Sequence, residues 1–300
     1  MASIEFFESS TSVVYLNLVF FAQSNNSIYM SFGERAYRYI QLHLMRNPRY
    51  FFSYFAHYIN PQYVPDIRFC DTEEVARAVA LGKSLIRLGD GEIYLLNHGD
   101  IPFESSTPEL RSLMMASITE YNAASPYIVA LNKAPLQKSN RELKDKGLLE
   151  CWLPSKVYYN LYFNHKASYA DAALFYFKDT IPKYFETYLM TKQILFVSNS
   201  RSCATFKENR QVPFHGVNFI ETPETGSFAE YDRIKNEVIS FTDKAGKENT
   251  VVLAAFGPAS KVLAYELSKI GIQVLDVGQG ITAAYTEFDH SLSDNIRVLQ

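Results

Sequence analysis

Residues 250–280 read TVVLAAFGPASKVLAYELSKIGIQVLDVGQG, and this stretch decides the fold class of the chain. The apolar run Thr250–Ala255 predicts a buried strand, and Ile272–Val277 predicts a second one. A glycine–proline turn and a predicted helix over Ala259–Ile270 separate the two strands. Apolar strands joined by a helix are typical of a parallel sheet that is covered by helices on its faces.

The same alternation of strand and helix signals begins at Asp71. Further strands are predicted at Ser84–Leu88, Tyr127–Leu131, Gln193–Val197 and Val217–Ile220. Further helices are predicted at Thr72–Leu81, Thr107–Asn122, Leu153–Phe177 and Phe228–Phe241, with a short one opening at Pro182. We therefore predict an α/β fold over residues 71–300, with a Rossmann-like, mostly parallel sheet and flanking helices.

Residues 1–70 differ from the rest and predict a helical extension that is rich in aromatic and basic side chains. Pro48 divides the stretch Gly33–Asn60 into two predicted helices. Two interpretations stay open: a helix pair packed on the main domain, or a surface that contacts anionic lipid or a protein partner. The apolar run Thr11–Ala22 is too short to span a bilayer, so we expect a cytoplasmic protein with a candidate peripheral contact at the inner face of the membrane.

Composition excludes several classes of protein. Of 300 residues, 47% are hydrophobic and 20% charged, which suits a large core rather than a disordered chain. Lys and Arg number 29 against 32 Asp and Glu, so the charge balance gives no drive toward nucleic acid. The three cysteines fit neither a disulfide framework nor a zinc site. The sequence contains no HExxH, GxSxG or strand-linked GxGxxG motif, which argues against zinc proteases, serine hydrolases and standard nicotinamide sites.

Polar and glycine-rich segments follow the predicted strands, and the carboxyl ends of parallel strands gather ligands at one edge of a sheet. These segments are Gly89–Glu92, Asn199–Arg201, Glu221–Thr222, Gly257–Lys261 and Asp276–Gly280. We therefore expect a single cleft that they line together.

The run Arg87–Glu92, RLGDGE, is the most informative of these segments. Asp90 and Glu92 are two hard oxygen ligands that can share a divalent cation or hold it against a diphosphate. Gly89 lets the backbone approach a ligand, and Arg87 can pair with a carboxylate or phosphate. An ordinary Asp-Gly turn is the alternative interpretation.

The segment Gly257–Lys261 joins a strand to a helix, and free N–H groups at a helix start suit a phosphate. Here Gly257 and Pro258 form the turn, Ser260 offers a hydroxyl and Lys261 a positive charge. A tight strand-to-helix turn with proline at the helix start is the alternative.

Asn199 and Arg201 follow another strand and could position a nucleotide. Their alternative is structural, with Asn199 or Ser200 capping the next helix and Arg201 solvated.

Two of these stretches together resemble the GT-D glycosyltransferases. RLGDGE resembles that family's RxGDGE run with its DxE metal motif. FGPASKVLAYEL, followed by LDVG, resembles the family's C-terminal GPxxxxLAxxL…DxG signature. The resemblance covers roughly residues 70–285. The chain departs from the pattern at Gln279, where the family usually has His; Gln exchanges hydrogen bonds but takes no proton near neutral pH.

The resemblance implies a nucleotide-sugar-dependent transferase that uses Mn²⁺ or Mg²⁺, with Asp90 and Glu92 as metal ligands. It implies a UDP-sugar as donor, a glycan or glycoconjugate as acceptor, and Gly278 and Gln279 beside the donor. An inverting enzyme also needs a carboxylate base, for which Glu221, Glu224, Asp232 and Asp276 are candidates, and Asp276 joins the acidic pair in the expected catalytic set. Two other classes stay open: a metal-dependent phosphate-ester hydrolase and a non-catalytic nucleotide-sugar-binding module of glycan assembly.

Overall fold

The computed structural model describes residues 47–175, 183–208, 214 and 216–278, which fall into two compact units. The first unit contains residues 47–63 and Ser139–Val157. The second contains Val64–Lys138 and the described residues from Tyr158 onward. Gln279 and residues 1–46 lie outside the described residues, so the sequence predictions for them stay predictions.

An eight-stranded parallel sheet forms the centre of the second unit in the described part of the chain. Its strands are β1 (Arg68–Phe69), β2 (Ser84–Leu88), β3 (Tyr127–Leu131), β4 (Ser168–Asp171), β5 (Gln193–Asn199), β6 (Asn218–Thr222), β7 (Thr250–Ala255) and β8 (Val274–Asp276). They lie in the order β1-β4-β3-β2-β8-β7-β5-β6, and every pair is parallel. The predicted α/β fold with a Rossmann-like sheet is confirmed.

The described α-helices are numbered in chain order. They are α1 (Pro48–Tyr58), α2 (Thr72–Ala80), α3 (Asp90–Leu96), α4 (Pro108–Thr119), α5 (Lys133–Leu136), α6 (Asn140–Asp145), α7 (Leu149–Tyr162), α8 (Lys183–Met190), α9 (Ser200–Glu208), α10 (Tyr231–Ala245) and α11 (Ala259–Ser268). None of them combines the length and apolar character that a membrane crossing requires.

Helices cover both faces of the sheet. Strands β2, β3, β7 and β8 are accordingly buried along their whole length. On one face, Val75 of α2, Leu189 of α8 and Phe206 of α9 share a core with the strands. Successive strand residues point to opposite faces. Ile128 of β3 belongs to that first core, so the neighbouring Tyr127 lies on the other face, where its ring meets the ring of Tyr265 of α11 edge-on.

The prediction of one helix over Leu153–Phe177 is wrong in its second half. Helix α7 ends at Tyr162, and Ser168–Asp171 forms β4 between β1 and β3. A strand of four residues inside an aromatic-rich stretch carries too little periodicity to be seen in the sequence. Tertiary packing decides it, since the Tyr169 ring lies against the rings of Tyr121, Tyr159 and Phe163.

The first unit contains α1, α6 and the beginning of α7. As predicted, a helix begins at Pro48, and the Asn47 side chain caps it by accepting the Tyr50 N–H. The Asn140 amide in α6 donates to the carbonyl oxygens of His57 and Asn60, which ties α6 to the end of α1.

Candidate active site

A cavity of about 480 Å³ opens in the second unit where the strands end at their carboxyl edge. Its lining includes Arg87–Glu92 after β2, Asn132 after β3, Ala172 after β4, Asn199 at the end of β5, Pro223 and Glu224 after β6, Gly257 and Lys261 after β7, and Gly278 after β8. The expected common cleft is therefore present. Its volume lies within the range of about 300–1,000 Å³ that is usual for small-molecule sites.

Most of the predicted site residues reach this cavity. Those that line it are Arg87, Gly89, Asp90, Glu92, Asn199, Gly257, Lys261 and Gly278. Arg201, Pro258, Ser260 and Asp276 are not part of its lining. Gln279 lies outside the described residues.

The acidic pair occupies the first turn of α3 rather than a loop. Gly89 is the N-cap, and its N–H donates to Glu92 Oε2 over 2.8 Å. A Cβ on Gly89 would lie 3.2 Å from that same oxygen, so a larger residue here would require the Glu92 carboxylate to shift. Two negative side chains also suit the positive end of a helix. The Asp90 side chain is exposed on the cavity, whereas that of Glu92 is only 12% exposed.

Lys261 joins Glu92 to Asp276 in a buried ion cluster. Its Nζ lies 3.2 Å from Glu92 Oε1 and 3.2 Å from Asp276 Oδ2. The ammonium also donates to the Gly257 carbonyl over 3.3 Å. Three acceptors match the three N–H groups of a lysine. Lys261 therefore lines the cavity with its charge directed into the protein.

The two charges hold each other in the ionised form. Burial acts to raise the pKa of Glu92, but Lys261 and the Gly89 N–H outweigh it and the pKa is lowered. Burial acts to lower the pKa of Lys261, but Asp276 and Glu92 outweigh it and the pKa is raised. At neutral pH Glu92 and Lys261 are therefore both charged.

Asp276 is completely buried and belongs to the cluster through its contact with Lys261. Its Oδ2 accepts the Arg87 N–H over 3.0 Å, and its Oδ1 has no hydrogen-bond partner among the described residues. A carboxylate without access to the cavity cannot touch a substrate there. In this conformation Asp276 positions Lys261 and the end of β2.

Arg87 in β2 connects the ends of two other strands, β4 and β8. Its Nε donates to the Ala172 carbonyl over 2.8 Å, and its Nη1 donates to the Val277 carbonyl over 2.6 Å. Gly278 has a φ of 52°, and a Cβ at this position would lie 2.5 Å from Arg87 Nη1. Only glycine therefore lets the guanidinium reach this place.

The turn after β7 and the start of α9 take partly structural roles. Ser260 is buried, and its Oγ accepts the Phe256 N–H over 3.0 Å, which fixes the turn at Gly257. Asn199 Oδ1 accepts the Ser202 N–H over 2.8 Å, so Asn199 caps α9, as the structural alternative predicted. The same residue also lines the cavity. Arg201 is exposed outside the cavity lining.

Sequence reasoning missed Phe103 and Asn132, which also line the cavity. Phe103 lies in a tight turn closed by the paired residues Ile101 and Glu104, and 45% of its surface is exposed. Nothing in the sequence connects this turn with the cavity. Asn132 directly follows β3, so the rule that ligands gather at strand ends could have found it.

Fold and cavity together define a class: a Rossmann-like α/β protein with a cavity at the carboxyl edge of the sheet and an acidic pair on that cavity. Residues 85–300 match the family described as Glycosyltransferase GT-D fold. The chain belongs to this family, as its two motifs indicated.

One curated relative is "Glycosyltransferase GlyD" from Streptococcus pneumoniae serotype 4, which is 26% identical over 220 residues. The aligned part is 65% of this chain but 24% of the relative, so the chain matches about a quarter of that protein.

Two solved structures share the fold. One, of the domain of unknown function 1792 with "a distinct glycosyltransferase fold", has a TM-score of 0.60 at 18% identity and covers 82% of this chain and 86% of that one. The other, "A New Glycosyltransferase (DUF1792) from Streptococcus sanguinis", has a TM-score of 0.58 at 20% identity and covers 73% and 83%. Both likenesses confirm the GT-D type of fold.

Proposed function

We propose that this protein transfers a sugar from a nucleoside-diphosphate sugar, with a UDP-sugar as donor, to a hydroxyl of a glycan or glycoconjugate. One observation carries the proposal: the acidic pair Asp90 and Glu92 and the turn at Gly257 line the same cavity. Family membership supports glycosyl transfer as the reaction. The relative named as a glycosyltransferase supports it as well.

The donor set of the cavity suits Mn²⁺ or Mg²⁺ bound together with a diphosphate. Asp90 is exposed on the cavity, and Glu92 is held ionised there. Each carboxylate oxygen has two lone pairs, so the contacts of Glu92 with Lys261 and Gly89 leave coordination capacity. The described residues contain no group of three or more His, Cys, Asp and Glu side chains that could hold a metal alone. Such a site takes its remaining ligands from phosphate oxygens and water, as Mg²⁺ sites commonly do.

The residues of this chain would divide the work as follows. Asp90 and Glu92 hold the cation, which when bound stabilises the negative charge that grows on the departing diphosphate. The backbone at Gly257 lets the diphosphate approach closely, because this residue has a φ of 72° and no side chain. Asn199 offers an amide to the nucleotide, and Lys261 keeps Glu92 ionised and in place.

The test supplies UDP-glucose, UDP-galactose or UDP-N-acetylglucosamine together with Mn²⁺. Turnover is measured as the amount of UDP released and of glycosylated product formed. We expect Asp90→Asn to lower kcat/KM by about 100-fold or more, because charge stabilisation by a cation contributes several kcal/mol. Glu109→Gln is the matched control. Glu109 is also an acid in the first turn of a helix, but it is not part of the cavity lining, so we expect unchanged turnover.

Calorimetry with UDP and Mn²⁺ separates binding from chemistry. We expect UDP to bind more tightly with Mn²⁺ than without it, and Asp90→Asn to remove the difference. Equal turnover by Asp90→Asn and the unaltered chain would contradict the metal assignment. Release of inorganic phosphate without sugar transfer would identify a phosphate-ester hydrolase instead, and binding of UDP without any turnover would identify a binding module.

A further inference from the structure

Glu224 is a carboxylate on the cavity that the proposed metal site does not use. It lies directly after β6, is exposed and lines the cavity. Glu224 makes no hydrogen bond or ion pair with any residue in the described part of the chain, whereas Glu92 on the same cavity is bound to Lys261. Its oxygens are therefore available to a ligand.

The other three carboxylates that the sequence offers as candidate bases are placed differently. Glu221 is not part of the cavity lining, and its Oε1 lies 3.8 Å from Lys207 Nζ. Asp232 is exposed on α10 and is also outside the lining. Asp276 is buried and holds Lys261. Of the four, Glu224 alone reaches the site.

The segment that carries Glu224 is anchored at several points, as a positioned catalytic group requires. The Gly226 N–H donates to the Phe103 carbonyl over 2.8 Å. Ser227 Oγ donates to the Phe256 carbonyl over 2.8 Å, next to the turn at Gly257. Buried Glu104 accepts the Phe228 N–H over 3.0 Å. These bonds attach the segment after β6 to the end of β7 and to the 101–104 turn.

We propose that Glu224 is the general base that takes the proton of the attacking acceptor hydroxyl. This role rests on the proposed function. The hydroxyl oxygen forms a bond to the anomeric carbon while the bond from that carbon to the diphosphate breaks. The electron pair of the broken bond leaves with the nucleoside diphosphate, and the proton passes to the Glu224 carboxylate and on to solvent. A single displacement of this kind inverts the configuration at the anomeric carbon.

The first experiment measures donor hydrolysis, in which water replaces the acceptor, with whichever of the three UDP-sugars shows turnover. We expect Glu224→Gln to lower kcat by about 10²–10⁴-fold, the usual contribution of a general base. The Kd for UDP with Mn²⁺, measured by calorimetry, stays unchanged, which shows that the variant is folded. Glu221→Gln, three residues away and outside the cavity lining, keeps the kcat of the unaltered chain.

The second experiment supplies azide, an anionic nucleophile that has no proton to lose. We expect azide to restore sugar transfer in Glu224→Ala and to give a glycosyl azide of inverted configuration, identified by NMR. A role of Glu224 in structure alone predicts no such rescue.

The outcomes separate this proposal from the one on which it rests. Turnover by Glu224→Gln within about threefold of the unaltered chain would overturn the base assignment and leave the glycosyltransferase proposal standing. A product of retained configuration would do the same. Absence of turnover with all three UDP-sugars would overturn both.

Discussion

Each unit of this protein contains a buried lysine, and the pKa values of the two lysines are shifted in opposite directions. Lys261 in the second unit lies between two carboxylates, 3.2 Å from each. Lys156 in the first unit donates to the Tyr63 carbonyl over 3.2 Å and to Asn140 Oδ1 over 3.1 Å. The pKa of Lys261 is raised, whereas burial lowers the pKa of Lys156 to about 8, an effect that Glu142 only partly offsets.

The comparison shows that the partners, rather than burial, determine the charge of a buried amine. Both side chains lose the solvation of water, and in both this loss favours the neutral form. Two carboxylates within 3.2 Å of Lys261 outweigh this loss, whereas Glu142 only partly offsets it at Lys156. The strongly charged cluster is the one on the cavity, where the proposed reaction needs Glu92 ionised.

The largest expected effect comes from removing the ammonium of Lys261. Lys261→Met leaves Glu92 and Asp276 buried without their cation, so we expect the free energy of unfolding to fall by about 3–5 kcal/mol. Urea unfolding followed by circular dichroism measures it.

A double variant sharpens this prediction. Lys261→Met combined with Asp276→Asn removes one of the two stranded charges, so it should be more stable than Lys261→Met alone. A loss below about 1 kcal/mol in Lys261→Met would show that the cluster is far better solvated than its burial indicates.

A smaller effect is expected from pH, through Lys156. The folded chain releases this proton near pH 8, whereas an unfolded lysine keeps its proton up to about pH 10.5. At Lys156, unfolding therefore takes up a proton between these values, so this residue contributes a rise in stability of at most about 1.4 kcal/mol per pH unit. Cys203 acts in the opposite direction, because burial raises its pKa to about 11 and unfolding releases its proton. Urea unfolding of the unaltered chain and of Lys156→Met between pH 8 and 9.5 measures this contribution as the difference between the two proteins.

Lys156→Met is the control for this pH effect, because it removes the titrating amine and leaves the contribution of the cysteines unchanged. The window avoids His57, whose pKa is lowered by burial and by Lys156 and which is therefore neutral throughout. An equal change of stability with pH in the variant and the unaltered chain would contradict the lowered pKa of Lys156.

The smallest effect is expected at a partly exposed ion pair. Lys235 lies 2.8 Å from Glu266, but both side chains are more than 20% exposed, at 29% and 25%. We expect Lys235→Met to change the free energy of unfolding by about 0–1 kcal/mol, because solvent screens such a pair. A loss comparable to that of Lys261→Met would mean that burial does not distinguish the two pairs.

Much of the fold was predictable from local pattern. The strands at Ser84–Leu88, Tyr127–Leu131 and Thr250–Ala255 have the bounds that their apolar runs predicted. Each is a run long enough to signal a buried strand without help from the rest of the chain. Strand β4 escaped prediction because its stability comes from rings that are distant in the sequence, such as Tyr121 on Tyr169.

The candidate site was predictable where residues follow strands, as Asp90, Asn199 and Gly257 do. The site was not predictable where a side chain can either face solvent or pair with other groups inside the protein. Lys261 could have pointed to solvent or inward, and only the placement of Glu92 and Asp276 makes inward favourable. Phe103 reaches the cavity because its turn is bonded to Gly226, which is more than a hundred residues away.

By itself the amino-acid sequence determined the parallel α/β class, the family and the edge of the sheet at which the site lies. These follow from periodicity and from short motifs, which act within a few residues of the chain. Only the tertiary structure decided which carboxylates reach the cavity, that Lys261 lies between Glu92 and Asp276, and which base candidate is accessible. Burial and charge pairing depend on neighbours that the fold brings together from distant parts of the chain, and no local pattern records them.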